Sequence, residues 1–343
     1  MAGPFYVDPA AAGANNGSDW TNAWTSIQTA FDTAVAGEIV YCRGTQTLAA
    51  QIDVDTNQGT NAAGYIKFIG CNAAGNVDGT RFTLDGNAAG IHCIAHGNID
   101  MIWFENIRCT NTGGSGKYGW NYDVASAANG CVFINCCADN CSSHGFRLDK
   151  ATYMNIFHRC TAYLNGASGF SGILGGNVFQ FCSSHDNTGD GFTSVSDALL
   201  FACLVYDNGD DGIEYSAAAK IINCTVDANA DDGLLALAHT NAYPALMVGS
   251  RVTNHSGAGD IGINANSEPL VTAYCYFEDN DGDNIQNATL HNNISIENTA
   301  NTSNIEDQAN TNEGYTDKTN DAQDFNLRSD ASLRRTSITI PRT

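Results

Sequence analysis

Residues 136–146 read CCADNCSSHGF, and the same frame returns as CTAYLNGASGF at 160–170, CSSHDNTGDGF at 182–192, CLVYDNGDDGI at 203–213 and CTVDANADDGL at 224–234. Each copy opens on a cysteine and closes ten positions later on an apolar residue: Phe146, Phe170, Phe192, Ile213 and Leu234. Spacings of 24, 22, 21 and 21 residues mark a stack of near-identical turns. Such a period admits a helical hairpin, a leucine-rich repeat or one coil of a parallel β-helix. Helical hairpins need long runs of Ala, Leu, Glu and Lys, whereas these repeats are rich in Gly, Asn, Asp, Ser and Thr. Leucine-rich repeats need Leu at several fixed offsets, but the fixed slots here hold Cys and Phe, preceded by apolar bursts such as NVFQFC (177–182), LLFAC (199–203) and KIINC (220–224). The remaining fold class is all-β: a single-stranded, right-handed parallel β-helix.

In that fold each strand pairs with its counterpart one coil on, about 4.8 Å away, and equivalent side chains stack. The Cys slot and the Phe/Ile/Leu slot are therefore expected as inward ladders. Five residues after the repeat cysteines stand Cys141, Asn165, Asn187, Asn208 and Asn229, with Asn280 after Cys275, which predicts an asparagine ladder bonding backbone at a bend. YIKFIGC (65–71) and MIWFENIRCTN (101–111) read as earlier coils, CYFEDNDGDNI (275–285) and LHNNISIEN (290–298) as later ones. The 51 residues from Cys224 to Cys275 fit two longer coils with Ser250 in the Cys slot, for roughly ten coils in all. An open end of such a stack needs a lid. TNAWTSIQTAFDTAV (21–35) sets Trp24, Ile27 and Phe31 on one helical face behind candidate N-caps Thr21 and Asn22. The expected organisation is one capped β-helix over 1–320, with the cap in about 1–50 and coils over about 60–300, then a basic tail at 321–343.

A net charge of −22, from 37 acidic and 15 basic residues, argues against nucleic acid or an anionic membrane as a partner. No stretch is long and apolar enough to span a bilayer, and the first residues lack the basic and apolar regions of a secretory leader, so synthesis and folding in the host cytoplasm are expected. Most of the thirteen cysteines occupy a repeated apolar slot, where Cys acts as a small hydrophobe, so thiols are expected rather than disulfides. CCADNC (136–141) lacks a histidine at zinc-finger spacing, and its adjacent Cys136 and Cys137 should face opposite ways.

The chain resembles the pectate-lyase-like superfamily of right-handed β-helices. The likeness runs from FYVDPAAAGANNGSDWTNAWTSIQTAFDTAVAGEIVYCRGT (5–45), similar to that superfamily's N-terminal cap, through NCTVDANADDGL (223–234), similar to its central repeat, to DFNLRSDASL (324–333). The superfamily includes lyases, hydrolases, epimerases, phage tailspikes and binding proteins, so the resemblance implies a fold and leaves the activity open.

Eight residues after successive cysteines stand Asp190, Asp211 and Asp232, with Asp210 and Asp231 beside the last two and Glu214 three past Asp211. Two readings of this column stand. Asp-Gly is a turn dipeptide, with Asp bonding backbone and Gly supplying positive φ. Stacked carboxylates are also hard oxygen ligands suited to Ca²⁺, and NGDDGIE (208–214) is similar to the calcium-binding coil of calcium-dependent pectate lyases. That resemblance implies acidic residues on adjacent coils as metal ligands and a nearby Lys or Arg as base. The base candidates here are Lys220 and Arg251, and neither fits the pattern well. His185 and Asp186 lie near Asp190 without a hydrolase motif, and no nucleophile elbow is present. Catalysis is therefore not expected. GGSGKYGWNYD (113–123) offers Lys117, Tyr118, Trp120 and Tyr122 either as a sugar-stacking platform or as a loop packing its aromatics on the stack.

Acidity, thiols and the missing leader and base point to a phage virion protein: a decoration, spike or fibre subunit with other virion proteins as partners, a cell-surface glycan as ligand, and self-association as a further option. The alternative is a secreted, calcium-dependent, lyase-like enzyme acting on polysaccharide. In the last sixteen residues Arg328, Arg334, Arg335 and Arg342 stand against one acid, Asp330, around the β-prone run SITIP (337–341), a candidate docking arm.

Overall fold

The computed structural model describes residues 4–296, except 123–128, 149–153, 174, 217, 239–242, 256–260, 266–269, 279, 281–284, 287 and 292–293. Among the described residues the chain winds through three parallel sheets of 12, 11 and 10 strands, each strand pairing with its counterparts in the coils before and after. Nine full turns separate the first strand of the third sheet, Ile52–Val54, from its last, Ile285–Gln286. One coil reads Val178–Gln180 in the first sheet, a sharp corner, Ser183–His185 in the second, a turn, then Phe192–Val195 in the third.

The corner explains why cysteine recurs. The residue before it adopts positive φ in every repeat: Asn135 (49°), Arg159 (55°), Phe181 (54°), Ala202 (52°), Asn223 (54°). One left-handed residue turns the chain from one sheet to the next and aims the following side chain into the core. Little room remains there, and the thiol meets a carbonyl of the preceding coil: Cys136 Sγ to Phe104 O at 3.6 Å, Cys160 to Phe133 at 3.4 Å, Cys182 to Phe157 at 3.4 Å, Cys203 to Phe179 at 3.6 Å, Cys224 to Leu200 at 3.5 Å. Cysteine combines a small apolar body with a weak donor, which suits this slot. Ser250 takes the slot as expected and accepts from Cys224 N at 3.0 Å. All thirteen cysteines are buried thiols, and burial pushes Cys136, Cys160 and Cys182 well above the ordinary thiol range. A thiol reagent should therefore count almost none in the native protein and thirteen after unfolding; rapid native labelling of several would contradict this packing.

Inside, Phe104, Phe133, Phe157 and Phe179 of the first sheet stack at centroid distances of 5.2, 4.5 and 4.6 Å. Trp120, Phe146, Phe170 and Phe192 of the third stack at 5.7, 4.8 and 4.7 Å. Each buried ring contributes roughly 1.5–3 kcal/mol by transfer, with about 0.5–1.5 kcal/mol more per stacked pair. The asparagine ladder is also present. Asn165, Asn187 and Asn208 each donate from Nδ2 to the Oδ1 of the next rung, at 2.8, 2.9 and 2.8 Å.

The lid is a shorter helix than its pattern suggested, Ile27–Thr33, and its N-cap is Ser26, not Thr21 or Asn22. Asn22 is held instead by Asp19 and accepts from Ala14 N, while Trp24 lies extended beside Val7. The Ser26 hydroxyl accepts from Gln28 N at 3.2 Å. Phe31 then seats on Phe68 at 3.9 Å. Gln28 reaches the free edge of the third sheet, donating to Asp53 O at 2.9 Å and accepting from Asp53 N at 2.8 Å.

Candidate functional site

In seven successive coils, from Trp120 to Ile263, the third-sheet strand begins immediately after a glycine, and the residues before those glycines form a column: Tyr118, His144, Ser168, Asp190, Asp211, Asp232, Ile261. A side-chain acceptor in one rung takes a backbone N–H from the next. His92 Nδ1 accepts from Tyr118 N at 3.1 Å, and His144 Nδ1 from Ser168 N at 3.1 Å. Asp190 Oδ1 accepts from Asp211 N at 3.2 Å, Asp211 Oδ1 from Asp232 N at 2.9 Å, and Asp232 Oδ1 from Ile261 N at 2.7 Å. The aspartate half of the turn reading is thus realised and occupies one oxygen of each. The glycine half is not: Gly191, Gly212 and Gly233 lack positive φ and stand instead where a Cβ would collide with Cγ1 of Val205, Val226 and Val252.

The second oxygens differ. Asp190 Oδ2 accepts from Ser168 Oγ at 3.1 Å, and Asp232 Oδ2 from Asn264 Nδ2 at 2.9 Å. Asp190, Asp211 and Glu214 each offer an oxygen within 4.8 Å of the others, and so do Asp210, Asp211 and Asp231. Five of the six expected ligands therefore gather around Asp211. Asp232 belongs to neither set; its Oδ1 serves the turn and its Oδ2 is held by Asn264. Thr193 Oγ1 donates to Glu214 Oε2 and orients it toward the cluster. Burial, then Glu214 and Asp210, pushes Asp190 up to about 7. Burial, then Asp232 and Asp190, pushes Asp211 up to about 8. Oxygen donors alone, close together and short of counter-charge, suit a hard divalent cation.

The base candidates sit elsewhere on the solenoid. Lys220 opens the first-sheet strand Lys220–Ile222, with Nζ 3.7 Å from Asp197. Arg251 opens the second-sheet strand Arg251–Thr253, its guanidinium 5.7 Å over the Tyr276 ring. The acidic column borders the third sheet.

Trp120 and Tyr122 correct the expected sugar platform: both are fully buried, Trp120 as a rung of the aromatic ladder and Tyr122 stacked on His96 at 4.3 Å. Alternation along the strand Trp120–Asn121 turns Trp120 inward, as the loop-packing reading had it. Lys117 and Tyr118 stay at the surface. Tyr118 lies between His92 and His144, at 5.0 and 5.6 Å with near-parallel rings, and Arg147 covers it at 4.7 Å. These partners went unrecognised in the sequence, although the dipeptide before each third-sheet residue, YG, HG, SG, DG, aligns them. Arg328, Arg334, Arg335 and Arg342 lie outside the described residues.

The fold is that of the pectate-lyase-like right-handed parallel β-helices. The chain is similar to the solved pectate lyase Pel9A, with TM-score 0.65, 18% identity, and coverage of 83% of this chain and 77% of that one. A rhamnogalacturonan lyase gives 0.56 at 14%, covering 85% and 87%. The Azotobacter vinelandii mannuronan C-5 epimerase AlgE6 A-module gives 0.53 at 15%, covering 78% and 95%. No family model and no curated protein matches the sequence. At these identities the likeness is one of fold, and it leaves the reaction unassigned.

Proposed function

We propose that the protein is a non-catalytic, glycan-binding β-helix displayed on a phage particle as a decoration, spike or fibre subunit. The observation that carries the non-catalytic part is the placement of Lys220 and Arg251 on other sheets than the acidic column. A lyase base must reach the proton it removes within hydrogen-bond distance while the metal holds the same sugar. The ligand surface is the third-sheet edge, where Arg147 and Lys117 offer charge to an acidic sugar and the His92–Tyr118–His144 stack holds Arg147 in place. Asp190, Asp211 and Glu214, with Asp210 and Asp231 beside them, would hold Ca²⁺ as a structural ion between coils. The buried thiols suit folding in a reducing cytoplasm before release in the virion. The arginine-rich segment at 328–343 is the proposed attachment to other virion proteins.

Titration with acidic oligosaccharides tests this reading. Binding should occur without release of unsaturated sugar, and Lys117→Ala should weaken it about tenfold, the equivalent of about 1.4 kcal/mol. Unsaturated product that disappears in Arg251→Ala would establish the polysaccharide lyase instead.

A further inference from the structure

The outward face of the first sheet differs from the rest of the surface. Over seven coils, from Val132–Ile134 to Leu270–Ala273, its outward side chains and the corner residues beside them make 21 positions, none of them Asp or Glu. The chain carries 37 acids. Successive outward positions in register read Val132, Ile156, Val178, Leu199, Lys220, Leu246 and Val271, and the pairing makes them one column. Lys220 is turned to Asp197 at the rim. Among the described residues ten large apolar side chains stand exposed; four of them, Ile156, Phe181, Leu246 and Tyr274, lie on this face, and Met154 and Tyr243 stand just before two of its strands.

We infer that this face is an interface between copies of the same chain. Seven strands about 4.8 Å apart and about 20 Å of width, corners included, give on the order of 600 Å² per copy. That stands at the top of the roughly 300–600 Å² range of a monomer's largest patch and approaches the roughly 800 Å² each partner contributes to a standard interface. Charge selects the occupant. Two bodies of −22 repel over their acid-bearing surfaces, and an acid-free face is where they can meet. The chain's own residues 297–343 fit poorly, because they carry thirteen charged side chains. A flat apolar face is complementary to itself, as a closed symmetric assembly requires.

Sedimentation of the full chain should give a mass that is a whole multiple of 36.3 kDa, with association strengthened by added salt as like charges are screened. The double variant Phe181→Asp/Leu246→Asp changes only side chains exposed in the single chain. It should keep the native circular dichroism and weaken association at least tenfold. If it fails to fold, Ile156→Lys at the other end of the face should have the same effect. A wild-type chain that stays monomeric at about 100 μM in high salt overturns the inference. So does an oligomer that the folded variants leave intact, or self-association that appears only when 297–343 are deleted, which would make that segment the cover.

Discussion

Stripped of divalent cations, the protein should melt at progressively lower temperature as pH rises from about 5 to about 8, by on the order of 5 °C in all. Asp190 and Asp211 set the sign. Their folded-state values, about 7 and about 8, lie above the ordinary carboxyl value of 3.8, so between these limits the folded chain holds protons that the unfolded chain has released. The stabilisation is complete below about pH 4 and is lost as pH climbs through the two folded values. Calcium should flatten the slope, since the ion replaces protons as counter-charge and binds better as they leave. Asp211→Asn keeps the oxygen that accepts from Asp232 N, and should remove the calcium response and the larger part of the slope, leaving the part that Asp190 contributes. A melting temperature that rises over this window would refute the protonation of the column. A calcium response that survives in Asp211→Asn would refute the cation site.

Asn208→Ala should cost about 3–5 kcal/mol, the largest loss expected from one small-residue substitution in the stack. Asn208 Oδ1 accepts from Asn187 N at 3.3 Å and from Asn187 Nδ2 at 2.9 Å, while its own Nδ2 donates to Ser184 O at 3.1 Å and Asn229 Oδ1 at 2.8 Å. Alanine leaves these buried partners unmatched, and water cannot reach them cheaply. Asn208→Asp separates the roles. It retains the acceptor but sets a carboxylate oxygen against Asn229 Oδ1, so it should destabilise nearly as much at neutral pH and less in acid. Chemical denaturation reads both variants. A loss for alanine below about 1 kcal/mol would mean that the ladder is incidental to stability.

The repeats were legible because a β-helix writes its cross-section into the chain once per coil. Cys136 through Cys224, Phe146 through Leu234 and the asparagine rungs each recur at one offset, and stacking turns a shared offset into contact. The helix start was not legible. Thr21, Asn22 and Ser26 are all competent caps, and the choice depended on Asp19 and Gln46, which fold in from outside the helix. The acidic cluster was visible as chemistry, but Asp232 looked equivalent to Asp211 because Asn264, 32 residues further on, decides its second oxygen. Trp120 stayed open between sugar platform and packed loop since the Gly-rich run before it reads as loop, whereas its alignment with Phe146 marks the core.

The contact between Gln28 and Asp53 matters most when many molecules are present. A parallel stack grows by offering each strand's unmet N–H and C=O groups to the next, and the first strand of the third sheet would offer its own to any passing chain. One carboxamide supplies the donor and acceptor of a missing strand without supplying a strand that others could extend. At that edge the solenoid is finite: it ends as a molecule and does not seed a filament.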